Sequence, residues 1–282
     1  MRCVFLRMVP ERLFLAHACV LMMLGSNCFS PTTNSNPEAA LAAVTAFWYP
    51  PSLPVASSIN LHLSSTSVVV SGNSVTTWTD TGPLALDLPM DTGGPTLLGN
   101  QLNGLPVVRF PADGSVVGLR RTSGSPFNNT FTFFAVLRPG AGALGGSILS
   151  AGNGCFSTPG NLTIYLTAAK QLVLDKMSDG NVFVSTATFP TNVPNSAIII
   201  ANNPGATQWF LNGTQDGTVG SDIFTATPTI FVGTGCNTGT GNFDGDIAEL
   251  IMYSRAITDA ERQSLECYAA AKYGVSISHS CP

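Results

Sequence analysis

Charge is scarce in this sequence. Lys, Arg, Asp and Glu together make up 10% of its 282 residues, against roughly 25% in an ordinary soluble domain. The formal net charge is −4, and no polybasic cluster occurs. That excludes the broad basic footprint of a nucleic-acid binder and leaves no electrostatic patch for anionic lipid. Catalytic signatures are equally thin: there is no G-x-S-x-G elbow, no H-E-x-x-H pair and no P-loop. The absence of C-x-x-C, with only His62 and His279 beyond the N-terminal segment, argues against a zinc site. Strong helical patterns are missing from all but the last forty residues.

What replaces charge is Ser, Thr, Asn and Gly, with 28 Gly and 19 Pro to supply turns. Such a surface suits an exported β protein. The length suits one large all-β domain with a sizeable core.

The N-terminus reads as an export signal over residues 1–27. Arg2, Arg7 and Arg12 precede an apolar run at 13–24, and Gly25-Ser26-Asn27 give a small, polar exit. At about a dozen residues the run is too short for a comfortable transmembrane helix. Leu24-Gly-Ser-Asn-Cys28 resembles a bacterial lipobox, in the relaxed form of spirochaete lipoproteins. The leucine lies four places before the cysteine rather than three. The resemblance implies lipidation of Cys28, anchorage by lipid alone, and an outer-membrane or cell-surface address; the alternative is simple secretion or a periplasmic address. Residues 28–45 are then a flexible Ser/Thr/Asn/Pro-rich tether. A short helix or extended lead is expected at 37–46, and Phe47-Trp48-Tyr49 as a first apolar anchor.

Of seven cysteines, four remain after the signal and Cys28 are set aside, an even number in an oxidising compartment. Three pairings are open. Cys155 and Cys236 both follow glycine in loops after strand-like runs, which favours joining them. Cys267 with Cys281 would then tie the last helix to a tail at 276–282.

Short β-branched and aromatic runs read as strands at 59–63, 67–70, 75–78, 105–110 and 130–137. The series continues at 147–151, 161–167, 171–176, 181–188, 197–201, 207–211 and 229–232, with hairpin-length links between several. Residues 82–99 hold four Gly and three Pro and read as a long loop. About a dozen strands without alternating helices predict an all-β, two-sheet antiparallel sandwich or jelly roll, as one domain over 46–275. Thr258-Asp-Ala-Glu261 is a capping box. It is followed by Leu265, Tyr268, Ala269 and Lys272 or Tyr273 at helical spacing, and by Gly274 as a left-handed exit. The one C-terminal helix therefore lays a single face on the sandwich.

Several stretches together resemble the concanavalin A-like, laminin-G-like jelly-roll domains of bacterial surface proteins. They are Val75-Thr-Thr-Trp78-Thr-Asp80, 102–110, 131–139, Gln208-Trp-Phe-Leu-Asn-Gly213, 245–262 and Lys272-Tyr-Gly274. Relatives tend to carry Asp-x-Ser-Gly after the tryptophan, whereas Asp80 is followed by Thr81-Gly82-Pro83. The resemblance implies a binding module for carbohydrate or for an extracellular or envelope protein, with no nucleic-acid partner.

Asp244, Asp246 and Glu249 are the one carboxylate cluster that could act as a glycoside hydrolase or lyase. Retaining glycosidases aim two such groups into one groove from a central strand. The competing reading is that Asp246 and Glu249 hydrogen-bond nearby backbone and position the helix. A third reading is a structural envelope component. His62, on a strand, could serve a serine but reads as a half-buried strand residue. For sugar binding the candidates are Trp78 with Asp80, and Tyr165, Asp179, Asn181, Asn202 and Asn203; core packing is the alternative for Trp78 and Trp209. Calcium needs several convergent oxygens, and Asp80, Asp113, Asp216, Asp222 and Asp244 are candidates to supply them.

Overall fold

Glycine and proline turns cut the chain into short strands that pair almost wholly antiparallel. The computed structural model describes residues 51–111, 118–142, 146–152, 162–176, 181–219, 229–234 and 242–282. Among them are strands β1 (Ile59–Ser71), β2 (Ser74–Asp80), β3 (Leu88–Gly93), β4 (Thr96–Leu102), β5 (Leu105–Phe110), β6 (Gly118–Arg121), β7 (Thr130–Pro139) and β8 (Gly146–Ala151). They continue as β9 (Leu162–Leu166), β10 (Gln171–Lys176), β11 (Asn181–Thr188), β12 (Asn195–Asn202), β13 (Thr207–Leu211), β14 (Thr214–Val219), β15 (Ile230–Val232) and β16 (Gly245–Tyr253). Helix α1 (Asp259–Tyr273) closes the chain.

One sheet runs β1–β16–β7–β12–β13–β14, with β2 on the far part of β1 and the β4–β5 hairpin against the start of β16. The other runs β6–β15–β8–β9–β10–β11. Strand β3 belongs to both, pairing Leu88 with Trp78 of β2 and Gly93 with Gly118 of β6. A strand that leaves one sheet for the other makes a corner of the sandwich. At the opposite side Asp216 of β14 accepts hydrogen bonds from Thr186 N–H (2.7 Å), Thr186 Oγ1 (2.6 Å) and Ala187 N–H (2.9 Å) of β11. The two outer strands are thereby fastened edge to edge, which shields edges that would otherwise pair with other chains.

Between the sheets lies an apolar core that includes Leu61, Trp78, Phe110, Phe131, Phe133, Ile164, Leu174, Ile199, Leu250 and Met252. Each such side chain contributes about 1.5–3 kcal/mol when fully buried. A second cluster forms on the outer face of the first sheet, where Phe134, Val136, Ile198, Ile251 and Tyr253 meet Leu265, Tyr268, Ala269 and Tyr273 of α1. Strands β7, β12 and β16 are therefore covered on both faces, which explains why they read as continuous apolar runs rather than alternating ones.

The helix forms where its caps demand it. Thr258 Oγ1 accepts from Glu261 N–H at 3.3 Å, and the Glu261 carboxylate accepts from Thr258 N–H at 2.8 Å. Gly274 at φ 74° provides the exit. Arg255 foremost, and the Thr258 backbone N–H next, hold the Glu261 carboxyl down at about 2.

Two sequence expectations need correction. Residues 82–99 are not one long loop, because they contain β3 and the start of β4. Pro89 and Gly93 mask the pattern, and β3 pairs through only two residues to each neighbour. Likewise 59–63 and 67–70 are one strand, bent where Ser67 Oγ donates to Ser64 O and Thr79 O, both at 2.9 Å. The short strands β6 and β14 carry too little periodicity to be read locally.

The tail folds back on the helix. Cys267 and Cys281 form a disulfide with Cα atoms 5.5 Å apart. His279 lies 2.7 Å from Glu266 Oε2, and Ser278 N–H donates to Asn212 O at 3.0 Å. Cys28, Cys155, Cys236, the export segment, the tether and the lead at 37–46 lie outside the described residues, as do Asp113, Asp179 and Asp222.

Candidate functional site

The carboxylates singled out on β16 are internal groups. A register shift between Ile247 and Glu249 inserts one residue opposite β7, so Asp246 and Glu249, three apart, both face the helix side of the sheet. Asp246 is 1% exposed and ion-paired to Arg109 and Arg138. Arg109 in turn is held above the usual guanidinium value, foremost by its hydrogen bond to Asp246. Glu249 is fully buried beneath α1. It lies 2.6 Å from His62 Nε2, accepts from Tyr268 OH at 3.0 Å, and faces Lys272 Nζ at 3.2 Å. Burial alone would push Glu249 up, but the His62 hydrogen bond, then the Lys272 charge, hold it below the usual carboxylate range. Neither group opens on a groove where a glycosidic bond could lie. Glu249 does position the helix, through side chains rather than through the backbone bonds expected. Asp244 is 8% exposed and packs on Gly140.

His62 stands in a line with Thr81, whose Oγ1 is 3.0 Å from His62 Nδ1. Hydroxyl, imidazole and carboxylate are thus in series. A nucleophile also needs donors aimed at the developing oxyanion. Thr81 N–H already donates to His62 O, and Gly82 N–H to Asp80 Oδ1. The line serves to seat β1 against β16 and α1.

Those residues expected at a sugar-binding rim that the structure describes do not come together. Trp78 is completely buried between the sheets, its indole N–H donating to Ser64 O at 2.7 Å. It is a core residue and cannot act as a platform. Asp80 is 5% exposed and accepts from the backbone N–H groups of His62, Gly82 and Leu86 at 2.7–2.8 Å. Its work is to shape the loop after β2. Tyr165 is half-buried on β9, where burial first and the Asp175 carboxylate second push its hydroxyl up. Asn202 is exposed at the end of β12 in the other sheet, and Asn203 O accepts from Thr130 Oγ1. Trp209 is buried against Phe183.

Calcium does not fit the oxygens of Asp80 and Asp216, nor those of Asp246. The oxygens of Asp80 face N–H donors, those of Asp216 face N–H and hydroxyl donors, and those of Asp246 face guanidinium groups. Among the described residues no group of three or more His, Cys, Asp or Glu is placed to hold a metal ion.

An open cleft does exist, at the corner where β3 passes between the sheets. Its volume is about 340 Å³, within the lower range of small-molecule sites. Asp87, Met90 and Asp91 form one wall, and Arg120, Arg121 and the Thr122-Ser123 turn the other. Arg120 lies over the Phe231 ring, 5.3 Å from its centroid, and 3.6 Å from Asp91 Oδ1. Arg121 Nε donates to Ser123 O at 2.6 Å and Nη1 to Asp87 O at 3.3 Å. Met90 is 43% exposed and offers an apolar edge. None of these residues stood out in the sequence, since the walls come from strands hidden by Pro and Gly or too short to read. The one available signal was the single Arg-Arg pair of a chain poor in charge.

Comparisons with known proteins agree with this architecture. The chain resembles domain 4 of AbnA, a GH43 extracellular arabinanase from Geobacillus stearothermophilus solved in complex with arabinotriose. Identity is 16%, coverage 74% of this chain and 98% of that one, and the TM-score 0.51. A GH54 α-L-arabinofuranosidase aligns at 14% identity over 72% of this chain and 52% of its own, with a TM-score of 0.53. The sialidase of Trypanosoma rangeli aligns at 14% identity over 90% and 39%, with a TM-score of 0.53. The chain thus spans about half of the arabinofuranosidase and less of the sialidase, and at these identities the likeness is one of fold. A comparison with curated proteins gives no match. The sequence profile of the concanavalin A-like lectin/glucanases superfamily matches residues 113–261. With its two-sheet jelly roll and single C-terminal helix, the chain belongs to the concanavalin A-like lectin/glucanase superfamily.

Proposed function

We propose that this protein is a non-catalytic binding module that takes carbohydrate in the cleft between β3 and β6. The observation that carries the reading is the chemistry of that cleft. It brings guanidinium donors, carboxylate acceptors and hydroxyl groups beside the exposed Met90 side chain. A sugar ring presents the complementary set, hydroxyls around its edge and C–H groups on its faces. The superfamily supports this reading, and so does the AbnA domain, whose structure holds arabinotriose. The carboxylates that hydrolysis would need are neutralised inside the protein, which supports binding without turnover.

A glycan array probed with the mature chain, with and without EDTA, tests the proposal. Binding should survive EDTA and disappear in Ser123→Trp, whose ring would fill the cleft from an exposed turn, while the melting temperature stays unchanged. Glycan binding indifferent to Ser123→Trp would remove the cleft. A blank array beside capture of an extracellular-matrix protein would move the reading to a protein ligand. A polysaccharide panel should stay uncleaved, and turnover that vanishes in Glu249→Gln would overturn the non-catalytic part.

The address is proposed from the sequence alone: export by residues 1–27 and anchoring through a lipid on Cys28. Labelled palmitate should enter the wild type and not Cys28→Ser, and equal labelling of both would end the claim.

A further inference from the structure

The charge balance of the cleft says more about the ligand than its shape does. Arg121 is held by two acceptors, Ser123 O and Asp87 O, both neutral carbonyls. Its Nη2 group has no acceptor and its charge no carboxylate partner among the described residues. Two carbonyls clamping the Nε and Nη1 positions fix the plane of the guanidinium without neutralising it. Arg120 is little better served. Its one carboxylate neighbour, Asp91, is 3.6 Å away, and its own side chain is 42% exposed. The other described arginines are paired closely: Arg109 and Arg138 with Asp246, Arg255 with Glu261, and Arg262 with Glu266. Among the described residues the two neighbouring arginines of β6 are the exception, and both line the same cleft.

The geometry points to an acidic sugar as the ligand, one carrying a single carboxylate among free hydroxyls, as a hexuronic acid does. This rests on the carbohydrate reading given above and narrows it. The carboxylate meets the oriented Arg121 guanidinium, the side chain best suited to planar recognition of that group. Hydroxyls flanking it donate to Asp87 and Asp91, which a polyanion could not approach without repulsion. A sulfated or phosphorylated sugar therefore fits less well, because its added charge falls between those carboxylates. A neutral sugar leaves the guanidinium charge without a counterpart, and the cleft then discriminates against it.

The test uses the mature chain and two matched probes, an oligosaccharide bearing a single hexuronate residue and the same oligosaccharide after reduction of that carboxyl group to an alcohol. Calorimetry should give at least a tenfold preference for the acid form, diminishing as salt is raised. Arg121→Gln, which keeps an amide donor for the Ser123 or Asp87 carbonyl, should bring the two probes to within about twofold. Asp91→Asn keeps an acceptor oxygen for the sugar hydroxyls, removes a negative wall without touching Arg121, and should raise the ratio of acid-form to reduced-form affinity about threefold. Thermal melts of both variants establish that they fold, and Asp91→Asn alone decides the matter if Arg121→Gln does not. Equal affinity for the two probes would overturn the acidic-sugar inference and leave carbohydrate binding intact. Binding of neither probe, together with a blank glycan array, would overturn both, and tighter binding of a sulfated oligosaccharide than of the uronide would overturn the assignment to a monoanion.

Discussion

Replacing Glu249 should cost stability rather than activity, and by an amount its surroundings set. The carboxylate is fully buried and meets His62, Tyr268 and Lys272 at 2.6, 3.0 and 3.2 Å. Glu249→Leu would strand the Lys272 ammonium, itself 9% exposed, without a counter-charge. Removing one member of a buried pair costs about 3–5 kcal/mol. Glu249→Gln retains the volume and one acceptor for Tyr268 OH, and loses only the charge-assisted part, about 1.5–3 kcal/mol. In a domain of this size each kcal/mol lowers the melting temperature by about 2–4 °C, so Glu249→Leu should lose upwards of about 6 °C. Adding Lys272→Met to Glu249→Leu should recover most of it, because an apolar pair replaces the ionic one. Scanning fluorimetry and urea unfolding measure both effects. The dependence on pH has a definite sign. Because the folded Glu249 lies below its usual range, its contribution is complete above the unfolded value near ~4.3 and lost as pH falls through the lower folded value. The gap between wild type and Glu249→Gln should accordingly close in acid. A melting temperature within about 1 °C of wild type for Glu249→Leu at pH 7 would refute this account of the helix-side network.

Other consequences follow from the same contacts. Asp216→Ala removes three hydrogen bonds that fasten β14 to β11. A loss of about 1–2 kcal/mol, with faster amide exchange confined to those two strands, is expected by urea titration and exchange mass spectrometry. Cys281→Ser opens a cross-link between residues 14 apart; about 2–4 kcal/mol should be lost, and reductant should lower the melting temperature of the wild type by more than that of the variant. Trp78→Phe deletes the donor to Ser64 O and leaves a void in the core, costing about 2–4 kcal/mol. Glycan affinity measured below the melting range should stay unchanged, and a selective loss of binding would return Trp78 to the ligand. Thr258→Ala should cost about 1 kcal/mol through the lost cap, read out as earlier thermal unfolding.

Local rules are enough for some of this molecule and silent on the rest. The capping box, the αL glycine and the apolar spacing of α1 lie within 17 residues, Thr258 to Gly274, and each is a short-range effect, so the sequence alone specified the helix and the face it buries. Most strands were legible for the same reason, as runs of β-branched and aromatic residues between turn formers. So was the superfamily, since its motifs are strands and turns written contiguously. The pairing partners are another matter. Glu249 meets His62 across 187 positions of sequence, and one extra residue in β16 turned Asp246 and Glu249 to the same covered side. Trp78 and Asp80 looked like a rim because an aromatic beside a carboxylate suits sugar. Only the fold put one in the core and filled the oxygens of the other with backbone N–H groups. The cleft is the clearest case. Its walls come from a strand shared between two sheets and from an arginine pair of which Arg121 has no carboxylate partner among the described residues. Whether a charge is matched depends on which distant segments approach it, and tertiary structure alone decides that.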